Sequence, residues 1–248
     1  MRRALVLALA CAGCHASVSD GDPNAAGPDG SVTIDASIDG PAASGPDAAQ
    51  CTSNRVVYLN FTGEALTDAT TSDALQNRAS WIIDGTTAPA APATNRSATQ
   101  IQDITSGIRT VLAQFPITVV TQRPASGDYV MIVFGGVASN VGSRFGAAVQ
   151  ELDCGDLTRN DVAWVSDNLT ATQRAINVSL GAIGFGLGLT ATTDPDDCMC
   201  GWDNACTSNN TVQCTLSSNI ARDPAANQRC PNLTTQNEVQ TFQQAFCQ

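Results

Sequence analysis

Asn177 to Met199 reads NVSLGAIGFGLGLTATTDPDDCM, and the reading of these residues decides the fold. From Val178 to Leu189 only Ser179 carries a polar side chain, and a helix that is apolar all round is a buried one. Thr170-Ala171-Thr172-Gln173 upstream has the pattern of a capping box and marks the start of that helix. Gly181, Gly184, Gly186 and Gly188 would each cost a helix up to about 1 kcal/mol relative to Ala. Their presence therefore implies close approach to neighbouring elements, with Phe185 filling volume, or a bent helix. Gly188 is placed to end the helix, and Pro195 within the following acidic residues predicts a turn.

The same stretch resembles the active-site helix of metzincins, zinc peptidases with the pattern HExGHxLGLxH. Asn177, Ile183, Gly184, Leu187, Gly188 and Leu189 match residues that surround that motif, and Asp197-Cys198-Met199 resembles the family's methionine turn. Such a site needs two histidines one turn apart on a helix, a glutamate beside the first as general base, and a third histidine after the helix-ending glycine. Aligned on Gly188, those positions are Gly181 and Phe185, Ala182, and Ala191. None of the four can bind a metal or move a proton. The resemblance thus implies the family's scaffold with no zinc, no cofactor and no peptidase activity.

The order of elements extends the resemblance over most of Val56 to Gln248. Val56–Phe61 is β-branched and aromatic and predicts a first strand. Leu66–Asn95 reads as an extended loop with one short helix near Asp73–Ile83. Ser97-Ala98-Thr99-Gln100 is a capping box, after which Ile101, Ile104, Ile108, Val111, Leu112 and Phe115 recur at helical spacing to about Gln114. Ile117–Thr121 and Tyr129–Phe134 are apolar runs that suit strands buried on both faces. Gly135–Gly155 is glycine-rich and irregular with room for an edge strand, and Val162–Ser166 is another strand. Thr235–Glu238 predicts a capping box for a terminal helix with Val239, Phe242 and Phe246 on one face. The expectation is an α+β domain with a mixed twisted sheet, a core helix, an active-site-type helix, a methionine turn, a cysteine-rich segment and a closing helix.

Residues 1–14 read as an export signal: Arg2 and Arg3, an apolar run from Ala4 to Ala10, then small residues leading into cysteine. The pattern resembles a bacterial lipoprotein signal. Cys11 and Cys14 compete for the lipid. Cys14 leaves eight cysteines to pair, whereas Cys11 leaves nine, which favours Cys14. Residues 15–50 are rich in Asp, Gly, Pro, Ala and Ser, with six Asp, no Arg and no aromatic residue, a composition that predicts a disordered tether. Residues 51–248 have the size of one domain.

All twelve basic residues are Arg, and residues 51–248 hold ten Arg against seventeen Asp and Glu. Phosphate backbones require a basic footprint, so nucleic acid is excluded as the expected partner, and membrane attachment would come from lipid. Cys51, Cys154, Cys198, Cys200, Cys206, Cys214, Cys230 and Cys247 form an even set that predicts disulfides in an exported domain, with pairing undetermined. A zinc–thiolate site among Cys198, Cys200, Cys206 and Cys214 is the rival reading, against which the spacing argues. Asp194, Asp196, Asp197 and Asp203 offer oxygen to Ca²⁺, without the alternation of an EF-hand loop. The only histidine is His15, and no GxSxG occurs, so a Ser-His or Cys-His pair within residues 51–248 is impossible. The expected function is that of an envelope or surface lipoprotein whose inactive peptidase-like domain binds a protein or peptide or serves structure. A hydrolase with an unrecognised carboxylate pair, and a structural or adhesive lipoprotein, are the alternatives.

Overall fold

The computed structural model describes residues 55–202, 206–226, 229–230 and 233–247. The expected signal, the lipidated Cys14, the tether, Cys51 and Asp203 lie outside them. Among the described residues no helix is long and apolar enough to cross a membrane.

Five strands make a mixed sheet: β1 (Val56–Asn60), β2 (Thr118–Val120), β3 (Tyr129–Phe134), β4 (Ala148–Val149) and β5 (Val162–Val165). Their spatial order is β2-β1-β3-β5-β4. The first four run parallel, and β4 pairs antiparallel to β5 at the edge. The register places Val57 beside Val119 and Val130, and Leu59 beside Ile132. All six residues of β3 are buried, as its nearly continuous apolar sequence requires of a strand covered on both faces.

Period-two alternation splits the sheet residues between two cores. Val57, Leu59, Val130, Ile132, Phe134, Ala163 and Val165 pack with the helices. Tyr58, Tyr129, Met131, Val133, Val162 and Trp164 pack with Leu66, Ala74, Ala79, Trp81, Ile82 and Ala91. The segment expected as a plain loop is therefore a covering layer, tied down where Trp81 Nε1 donates to Val162 O at 2.7 Å. Its helix near Asp73–Ile83 reduces to a single 3₁₀ turn, Ala74–Gln76, followed by a two-residue strand at Arg78–Ala79. Asn77 at φ 54° stops the turn there.

Helix α1 (Ala98–Leu112) has the expected capping box: Ser97 Oγ accepts from Gln100 N, and the Gln100 side chain accepts from Ser97 N. It packs against α2 (Thr172–Gly186) at Gly107, where a Cβ would collide with the Ile176 side chain. Helix α3 (Glu238–Ala245) closes the fold, with Phe242 stacked on Phe115 at 5.4 Å between ring centroids.

Two caps differ from expectation. The N-cap of α2 is Ala171, which has no capping side chain; the helix is held by burial instead. The N-cap of α3 is Asn237, whose side chain accepts from Gln240 N. Thr235 and Gln236 are taken up in a short antiparallel pairing with Ile220 and Ala221, so the N-cap falls at Asn237 rather than at Thr235.

Candidate functional site

Helix α2 is the floor of the site. Nearly every residue from Ala175 to Gly186 is buried. It ends where Gly188 takes φ +86° and Leu189 N bonds back to Gly184 O at 2.9 Å. A left-handed residue here suits glycine alone among common residues, and a Cβ would also meet Asp153 O at 2.8 Å. Asn177 ties the helix to the loop beyond it: its Nδ2 donates to Asn209 O and Val212 O, and its Oδ1 accepts from Cys214 N.

The turn around Met199 lies directly against this helix. Met199 is fully buried, with its Sδ 2.7 Å from where a Cβ on Gly184 would stand. Asp197 shapes the turn, since its Oδ1 accepts from Met199 N at 2.8 Å and from the Thr192 hydroxyl at 2.9 Å. Glu238, at the start of α3, is also wholly buried and receives Ser217 N and Gln236 Nε2. Burial and the neighbouring Asp197 push Glu238 up to about 8, and burial raises Asp197 too. Two such carboxyls cannot both ionise cheaply, which favours one of them keeping its proton.

At the positions where the resemblance expects metal ligands, packing replaces chemistry. The Trp202 ring covers Gly181 so closely that no side chain fits there. Phe185 packs on Trp202 with ring centroids 5.3 Å apart. Ala182 and Ala191 are buried, and Ala191 O accepts from Asp223 N. No nitrogen, sulfur or carboxylate side chain is offered by Gly181, Ala182, Phe185 or Ala191, so the residues do not fit a zinc ion at this place. Leu180 is buried in the core, and Trp202 fills the volume over Gly181.

Above the Phe185–Trp202 pair runs a cleft of about 610 Å³, lined on one side by β4. Arg144, the 59 % exposed Phe145 and Arg174 stand at its walls, and Asp84 and Glu151 are the carboxylates that line it. Arg144 and Arg174 are exposed and form no ion pair with the other described residues. Among the described residues, the outer side of β4 pairs with no other strand.

The cysteines pair as Cys154–Cys230, Cys198–Cys214 and Cys200–Cys206, and Cys247 is also disulfide-bonded. The zinc–thiolate reading is thereby corrected, because all four of its thiols are oxidised. Of the Ca²⁺ candidates among the described residues, Asp194, Asp196 and Asp197 do not converge as a ligand group: Asp197 is buried in the turn, and Asp194 accepts from Asp196 N. The carboxylates that do converge, among the described residues, are Asp153, Asp156 and Asp161. Arg55 already holds Asp156 in two hydrogen bonds of 2.7 and 2.8 Å and approaches Asp161 at 3.5 Å, with Arg159 3.5 Å from Asp156. Burial pushes Asp161 up to about 8 and raises Asp156, against the lowering effect of Arg55. Neither this group nor Asp197 and Glu238 lines the cleft.

No protein-family model and no characterised protein matches the chain.

Proposed function

We propose that the chain is a lipid-anchored envelope protein whose folded domain is a metzincin-like scaffold without metal, retaining its cleft as a binding site for an extended peptide. The observation that carries this reading is the Trp202 ring set over Gly181, against Phe185, at the positions where the resemblance expects metal ligands. The sheet order with its antiparallel edge strand, the glycine-ended α2 and the buried Met199 beneath it support the scaffold assignment. The open edge of β4 supports the ligand class, because an extended peptide can add its main chain to such an edge while side chains enter the cleft.

The reading is tested by metal analysis of the purified protein beside a protease assay with and without chelator, and by screening a peptide library for binding. Binding without cleavage, lost in Phe145→Ala and Arg144→Ala at the cleft wall, is the expected result. Stoichiometric zinc with chelator-sensitive cleavage would overturn it, and chelator-insensitive cleavage would favour a carboxylate hydrolase.

A further inference from the structure

A second cavity, of about 680 Å³, lies where the end of α2 meets α3, walled by Gly188, Leu189, the Cys154–Cys230 bridge and the Gln240, Thr241 and Gln244 face of α3. It shares no lining residue with the cleft. Arg222 lines it and is only 4 % exposed. Its Nε donates to Thr190 Oγ1, and its Nη1 donates to Cys230 O at 2.9 Å and Leu233 O at 3.2 Å. Its Nη2 has no hydrogen-bond partner.

The molecule supplies its own comparison. Three arginines are buried among the described residues. Arg55 pairs with Asp156, and Arg96 faces Asp167 at 4.0 Å. Arg222 has no carboxylate partner among the described residues, and burial lowers its pKa. A buried guanidinium with an unused N–H and no counter-charge is costly unless something else supplies the anion, and planar oxyanions match its geometry.

We propose that this cavity binds a hydroxylated monocarboxylate of the sugar-acid class, its carboxylate on Arg222 and its hydroxyls on the surrounding amides and hydroxyls. The charge follows from the lining: Arg222 is the only ionisable residue there among the described residues, in an acidic protein, so one negative charge is balanced and two are not. The hydroxyls follow from Ser218, Asn219, Gln240, Thr241 and Gln244, each of which both donates and accepts. No aromatic ring lines the cavity to stack a base. Nη2 is screened from bulk water, so seating the carboxylate involves a small movement of the wall.

The test is calorimetric titration and thermal denaturation of the intact protein with galacturonate, glucuronate and gluconate, and with galactose and inorganic phosphate as controls. At least one acid should bind saturably and raise the melting temperature, with galactose and phosphate weaker by about tenfold or more. Gln240 and Gln244 are exposed on α3, so Gln240→Glu and Gln244→Glu should fold normally and still weaken acid binding by about tenfold through like-charge repulsion. Arg222→Met, if it folds, should abolish binding. Failure of all three acids to bind, equal binding of galactose, tighter binding of phosphate, or indifference to the two glutamate variants would each overturn the proposal. None of these outcomes bears on the cleft, so the two readings fail separately.

Discussion

Gly181 and Trp202 form a matched pair: the indole occupies space that exists only because residue 181 lacks a side chain. A Gly181→Ala substitution should therefore destabilise the domain by about 1–3 kcal/mol, as over-packing of a tight interior does, despite the better helix propensity of alanine. Trp202→Ala should relieve the part of the clash that the indole makes, the Cys198 carbonyl 2.5 Å from the same Cβ remaining, so a double-mutant cycle in denaturant should show coupling of at least about 1 kcal/mol. Additive effects would mean that the ring moves aside freely. The absence of ligating side chains at Gly181, Ala182, Phe185 and Ala191 is legible in the sequence. The replacement by Trp202 is not, because its position depends on the Met199 turn and the Cys200–Cys206 bridge bringing a residue beyond the helix back over it. No local periodicity encodes that return.

At the scale of elements, legibility follows how locally each is specified. The apolar strands β1, β3 and β5 and the Ser97–Gln100 box of α1 are written in adjacent residues and form as expected. The starts of α2 and α3 depend on tertiary context: burial holds α2 without a cap, and the pairing of Thr235–Gln236 with Ile220–Ala221 delays α3. The Leu66–Ala91 layer has no strong period of its own and is ordered by the sheet face it covers. The turn before α3 is braced covalently, since Cys198–Cys214 closes a loop with sequence separation 16 beside Met199. Replacing both cysteines by alanine should cost about 3 kcal/mol by loop-closure entropy, measured as a lower denaturation midpoint. An unchanged midpoint would mean that Asn177 and Asp197 suffice to hold the turn.

For the whole molecule, buried acids set the response to pH. Glu238 and Asp161 are both held at about 8 in the folded chain, above their usual values of 4.5 and 3.8. Between those limits the folded state keeps protons that the unfolded chain has released, so the contribution of these two groups to stability is complete below about pH 4 and is lost as pH rises to about 8. Each such group contributes a slope of up to about 1.4 kcal/mol per pH unit. Melting temperatures recorded across this range should fall toward alkaline pH, and Glu238→Gln, which keeps a neutral group beside Asp197, should flatten the curve. A rise in melting temperature over the same interval would contradict proton retention by these two buried acids. Attachment is tested at the same scale: under the lipoprotein proposal, a fatty-acid analogue should label the expressed chain and fail to label a Cys14→Ser variant.

The position of β1 has a mechanical consequence. It is the strand by which the described chain begins, yet it lies inside the sheet, laddered to β2 on one side and to β3 on the other in parallel register. Arg55 immediately before it is clamped by Asp156 and rests over the Phe246 ring. Tension arriving through the preceding residues along the strand axis would load both ladders in shear, so that many hydrogen bonds must yield together. Pulling on an edge strand such as β4 from the side would peel its bonds one after another. Load introduced along β1 is therefore shared by two ladders and does not unzip the sheet from this end.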